Sequence, residues 1–116
     1  MGDSIRLKRV QSLIREEIGT MIVMGIIKDP RISHMSSVTS VEVSRDINYA
    51  KVYISSFENR GSVKKTVDAL NHASGFIQNR LAKRLKTRNT PKLSFFIDNS
   101  IENGIRMTHL LEELDT

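Results

Sequence analysis

At 116 residues the chain is about one domain long, enough to bury one core and not two. It has no cysteine, which excludes a disulfide framework and thiolate metal sites, and no apolar run approaches the roughly 18 residues of a membrane helix. Eighteen Lys and Arg against thirteen Asp and Glu give +5, and the start, Met1-Gly2-Asp3-Ser4, lacks a signal-peptide pattern, so a cytoplasmic protein with an anionic partner and no membrane association is expected.

The first segment, Ser4 to about Gly25, reads as an amphipathic helix, with Val10, Leu13, Ile14, Ile18, Met21 and Ile22 recurring at spacings of three and four. Ser4 is the expected N-cap, and Gly25 followed by Asp29-Pro30 closes the segment. Two strands follow, Ser37 to Ser44 and Tyr49 to Phe57. In them Val41 and Val43, then Ala50, Val52 and Ile54, alternate with polar or exposed positions. Arg45-Asp46-Ile47-Asn48 is short enough for a hairpin connection.

Gly61-Ser62 opens a helical run with Ser62 as N-cap, and Val63, Val67, Leu70 and Ala73 line one face. The pattern resumes as Phe76, Ile77, Leu81 and Leu85. Between the halves lies Ala73-Ser74-Gly75, and since a mid-helix Gly costs roughly 1 kcal/mol against Ala, a sharp bend between two helices is expected here. Gly75 is expected to take a positive φ or to let two helices approach closely, so Gly75→Ala should destabilise. Ala73 should be buried in the joint. Asn89-Thr90-Pro91 ends the region. Leu93, Phe95 and Ile97 form a third strand with Phe96 on its other face. After Asp98-Asn99-Ser100, Ile101, Ile105, Thr108, Leu111 and Leu114 mark a last helix. The order α-β-β-α-α-β-α argues for a single α+β domain, helices on one face of a three-stranded sheet.

Catalytic patterns are missing. His34, His72 and His109 are widely separated in sequence, without the tight spacing typical of metal ligands. Glu16-Glu17 and Glu112-Glu113 are adjacent on helices and so point in different directions. There is no phosphate-binding Gly-Lys-Ser/Thr loop and no Gly-x-Ser-x-Gly elbow, and Ser74 has no evident activating base. Neither an enzyme, a cofactor nor a metal is expected.

The charge excess is local. No acidic residue lies between Asp68 and Asp98, a stretch that holds Arg80, Lys83, Arg84, Lys86, Arg88 and Lys92. Arg80, Lys83 and Arg84 share one side of a helix, beside the stripe of Ile77, Leu81 and Leu85. A bend just before that helix leaves its N-terminal N–H groups open to phosphate. Arg6, Lys8 and Arg9 make a second basic cluster, expected to form part of the same polyanion-binding surface or a second contact. On spacing alone, an ordinary packing kink with a solvated basic face is the slightly better account.

Ala73-Ser74-Gly75 followed by Phe76-Ile77-Gln78-Asn79-Arg80-Leu81 resembles the interhelical Ala-x-Gly kink of the ribosome-binding factor A family, which replaces the Gly-x-x-Gly loop of other type II KH domains. Asp29-Pro30-Arg31 resembles the family's turn after the first helix. Val41-Glu42-Val43-Ser44-Arg45-Asp46 and Tyr49-Ala50-Lys51-Val52-Tyr53 resemble its hairpin. Arg88, Pro91, Leu93, Phe95, Asp98, Ser100, Glu102 and Gly104 resemble its final strand and turn. The likeness runs from Arg6 to Leu114; Lys92 departs from it, standing where the family often has an acidic residue. The resemblance implies a type II KH-like fold that binds 16S rRNA on the free, immature 30S ribosomal subunit. It also implies a role in late maturation and in processing near the 5′-terminal helix of that RNA. A monomer is expected. With the Gly-x-x-Gly loop replaced and few aromatics, sequence-specific base reading and stacking should contribute little. A module that docks on ribosomal proteins or an assembly GTPase is the alternative.

Overall fold

A computed structural model describes residues 2–56, 60–85 and 89–99. The elements are α1 (Gly2–Val23), β1 (Ser36–Val43), β2 (Tyr49–Ser56), α2 (Arg60–His72), α3 (Ser74–Arg84) and β3 (Lys92–Ile97). This is the expected order as far as β3. The expected last helix, along with Phe57, lies outside the described residues. Both expected N-caps are corrected: α1 and α2 begin at Gly2 and Arg60, ahead of Ser4 and Ser62. The first turn of any helix leaves its N–H groups unpaired, so a serine there is tolerated inside the helix as well as at its edge.

The sheet order is β1-β2-β3. β1 and β2 are antiparallel, joined by the 44–48 turn; β2 and β3 are parallel, so the chain must cross over between them, and α2 and α3 form that crossing. Ala50, Val52 and Ile54 of β2 and Leu93 and Phe95 of β3 all point to the helix side, as period two requires. β1 keeps the same phase through a bulge at Thr39. Val38 faces Ile54 before it and Val41 faces Val52 after it, so both valines stay buried. The helices cover this face with Val10, Ile14, Ile18 and Ile22 of α1, Val63, Val67 and Leu70 of α2, and Ile77 and Leu81 of α3.

The exit from α1 is tied at several points. Gly25 has φ +63, its N–H donates to the Ile22 carbonyl, and the N–H of Ile26 donates to the Met21 carbonyl. This is a Schellman cap, for which glycine is the natural residue. His34 Nδ1 lies 3.2 Å from the Ile22 carbonyl oxygen. Farther on, the Arg31 guanidinium binds both carboxylate oxygens of Asp29, at 3.1 and 2.8 Å. The hydrogen bonds from Arg31 hold the Asp29 carboxyl down at about 2. Thr66, fully buried on α2, clamps the same loop: its hydroxyl donates to the Arg31 carbonyl and accepts from the Ser33 N–H.

The hairpin turn is less polar in practice than its sequence suggests. Ile47 is buried at 7% exposure and adopts φ 59, a left-handed conformation that is rare for a β-branched residue. On the far side, Asn71 of α2 serves the backbone of β3. Its amide donates to the Phe95 carbonyl and accepts from the Phe95 N–H, taking the place of a neighbouring strand.

Candidate nucleic-acid interface

α3 takes its direction from Ala73, whose φ of −91° and ψ of 9° break the helix for one residue. The N–H of Ala73 still donates to Ala69, and the carbonyl of Ala73 still accepts from Ile77. The bend is therefore a one-residue interruption in dihedral space open to any L-residue. This overturns the expectation for Gly75. Gly75 has no positive φ, and a β-carbon added there would meet nothing within 4 Å. It sits in the first turn of α3, facing open space, so neither left-handed backbone nor close helix approach demands glycine. Ala73 itself is half-buried, packed at the margin of the core and not enclosed in it. No side chain caps the N-terminus of α3.

Ile77 and Leu81 anchor α3 on the sheet, which turns Arg80, Lys83 and Arg84 outward, all exposed. The three line a hollow of about 280 Å³ whose other wall is Glu17, Thr20 and Met21 of α1, with Ile26 beyond. Arg84 Nε lies 3.9 Å from the Glu17 carboxylate, with the Arg84 side chain 70% exposed. A pair this long on a largely exposed arginine contributes little to stability and leaves the guanidinium available to a stronger anion. Arg80 also lies 6.0 Å above the ring of Phe76, one turn earlier and 46% exposed. Phe76 was expected on the apolar stripe. It stands outside instead, because Ile77 is the residue that faces the sheet.

The other predicted residues are dispersed. Lys92 alternates with the buried Leu93, so it stands on the outer face of the sheet opposite Tyr49, away from the α3 hollow. Arg6 shares the side of α1 that carries Glu17, but about three turns, roughly 16 Å, nearer the N-terminus. Lys8 and Arg9 line a shallow depression with Ile5, Ser12, Leu13 and Glu16, on another side of that helix. Lys86 and Arg88 lie outside the described residues. Sequence reasoning missed two participants. Phe76 was detectable from its four-residue spacing to Arg80. Glu17 was not, since only the packing of α1 beside α3 brings it to the hollow.

Cations fixed on one flank, uncapped N–H groups at the helix start and an exposed ring provide contacts for phosphate and base. Two helices broken at one residue and bridging parallel strands of a three-stranded sheet define a KH-like α+β domain, here with a basic flank on the second helix. The sequence profile of ribosome-binding factor A matches residues 6–111. Ribosome-binding factor A of Treponema denticola is 49% identical over 110 residues, covering 95% of this chain and 83% of that one. The crystal structure of ribosome-binding factor A from Thermus thermophilus superposes with a TM-score of 0.66 at 22% identity, over 78% of this chain and 94% of that one. A homology model of the Thermus thermophilus factor, fitted into a cryo-EM map of its complex with the 30S subunit, gives a TM-score of 0.60 at 26% identity, over 77% and 91% of the two chains. The chain belongs to the ribosome-binding factor A family.

Proposed function

We propose that this protein binds the free, immature 30S subunit through 16S rRNA, with the α3 flank as its main phosphate contact. The observation that carries the reading is the meeting of Arg80, Lys83 and Arg84 in one exposed hollow beside Phe76. The fitted Thermus relative supports the choice of partner. Lysine and arginine contacts to phosphate supply affinity, and the shape of folded RNA supplies selectivity. In this reading the protein acts in the cytoplasm as a monomeric binding factor without a cofactor. It assists late maturation and processing near the 5′-terminal helix of 16S rRNA. Arg6, Lys8 and Arg9 make a second contact, and Lys86 and Arg88 extend the first.

Cosedimentation tests it. The protein should travel with free 30S subunits and not with polysomes. Replacing Arg80, Lys83 and Arg84 together by Ala should weaken that association and flatten the slope of log affinity against log salt by roughly 2 to 3, one counterion per lost phosphate contact. An unchanged slope would remove this flank from the RNA site. A nearly salt-independent association of the unaltered protein would favour docking on ribosomal proteins or an assembly GTPase.

A further inference from the structure

The outer face of the sheet, opposite the helices, gathers three of the six aromatic residues of the chain. Tyr49 is 63% exposed and Phe96 42%, while Tyr53 is half-buried. The register sets Tyr53 opposite Phe96, and their ring centroids are 5.8 Å apart at a tilt of 33°. Tyr49 stands four residues along β2 from Tyr53, about 13 Å at the rise of a strand. Lys51 lies between them on the same face, and Lys92 lies directly across from Tyr49. Both lysines are exposed. The neighbours that could shield the rings are small: Ser40 is opposite Tyr53, and Ser94 is opposite Lys51. Glu42 is opposite Lys51, and Asp98, two residues past Phe96, accepts a hydrogen bond from the Thr39 hydroxyl. Lys51 and Lys92 flank Tyr49, whereas Asp98 lies at the far end of the face beyond Phe96.

We infer that this face is a further RNA contact, a stacking platform for unpaired bases of a single strand. It rests on the reading of RNA as the partner but not on the α3 hollow. Exposed rings on a sheet, uncovered by small neighbours, accept base faces of any sequence, and lysines among them take the intervening phosphates. A duplex cannot use the platform, because its bases are already stacked. The few aromatics in the sequence argued against stacking; the strand register concentrates half of them on one surface.

The chain offers a direct probe. It has no Trp, and both of its tyrosines are on this face, so intrinsic tyrosine emission reports here alone. Titrating the full chain with a short oligouridylate should quench that emission saturably, whereas an RNA duplex of equal length should not. Tyr49→Ala and Phe96→Ala should each weaken oligouridylate binding about fivefold or more, the usual range for losing one stacked base. Tyr49→Phe should bind as the parent does, and Lys51→Gln with Lys92→Gln should reduce the salt dependence. The variant lacking Arg80, Lys83 and Arg84 should retain the quenching, which separates this platform from the α3 flank. Oligouridylate binding, read by the anisotropy of a labelled strand, without any change in tyrosine emission would overturn the inference. So would undiminished binding by the Ala variants. Tyrosine emission shielded from acrylamide in the free protein would also sink it, since the face would then be covered by protein.

Discussion

Two glycines mark helix ends in this domain, and they differ in kind. Gly25 closes α1 in a left-handed conformation, and an added β-carbon would lie 3.3 Å from His34 Cε1. Gly75 opens α3 in ordinary helical space with nothing near it. Around Gly25 the chain is held from several sides, by the Schellman bonds, the Asp29–Arg31 pair and the Thr66 clamp. Around Gly75 the bend is made at Ala73, in backbone that any residue can adopt. A glycine inside a family motif is therefore no guide to conformational need; the backbone at that position is.

The strongest way to break the α1 exit is through its clamp. Thr66→Val keeps the volume and removes the hydroxyl, leaving the Arg31 carbonyl and the Ser33 N–H without it. Thermal or denaturant unfolding should show a loss of about 1 to 3 kcal/mol, the cost of two part-buried hydrogen bonds to a fully buried hydroxyl. Gly25→Ala comes next. Left-handed strain should cost about 1 to 2 kcal/mol in the same measurement, with the tight approach to His34 adding to it. At the joint the sign reverses. Gly75→Ala should stabilise by about 0.4 to 1 kcal/mol, because it restricts the unfolded chain and clashes with nothing. It should also keep full 30S association, since Ala73 sets the bend; a destabilised Gly75→Ala would mean the joint depends on glycine after all.

The smallest effect concerns acid. The Asp29 carboxyl titrates at about 2 in the fold against an ordinary 3.8, so its ionised form favours the folded state. That contribution is complete above the ordinary value and disappears as the pH falls through 3.8 toward 2. Asp29→Asn should therefore flatten the acid limb of stability between those values and leave unfolding unchanged in its pH dependence near neutrality. Melting temperatures taken across that range for both proteins would show it.

Much of this architecture was legible because its periods are clean. α1 repeats at three and four over Val10 to Ile22, and β2 alternates from Tyr49 to Ile54, so both elements and their buried faces could be read directly. The basic flank was legible for the same reason, as spacing on one helix. What escaped depends on contacts between elements. Glu17 reaches the hollow only once α1 lies beside α3. Lys92 belongs with Arg84 in sequence but not in space, because strand alternation sends it to the opposite face. The gathering of Tyr49, Tyr53 and Phe96 needs the parallel register of β2 and β3, which no local pattern records.

Ile47 bears on how the molecule is made. Its left-handed backbone costs about 1 to 2 kcal/mol, which the hairpin on its own cannot offset. Burial repays it only once the core around it exists. β2 also lacks its parallel partner until α2, α3 and β3 have all been synthesised. During translation the first half of the chain thus emerges with a poor turn and an unsatisfied strand edge. The sheet can therefore be completed only after β3 has been made, and until then the free edge of β2 is open to pairing with another strand.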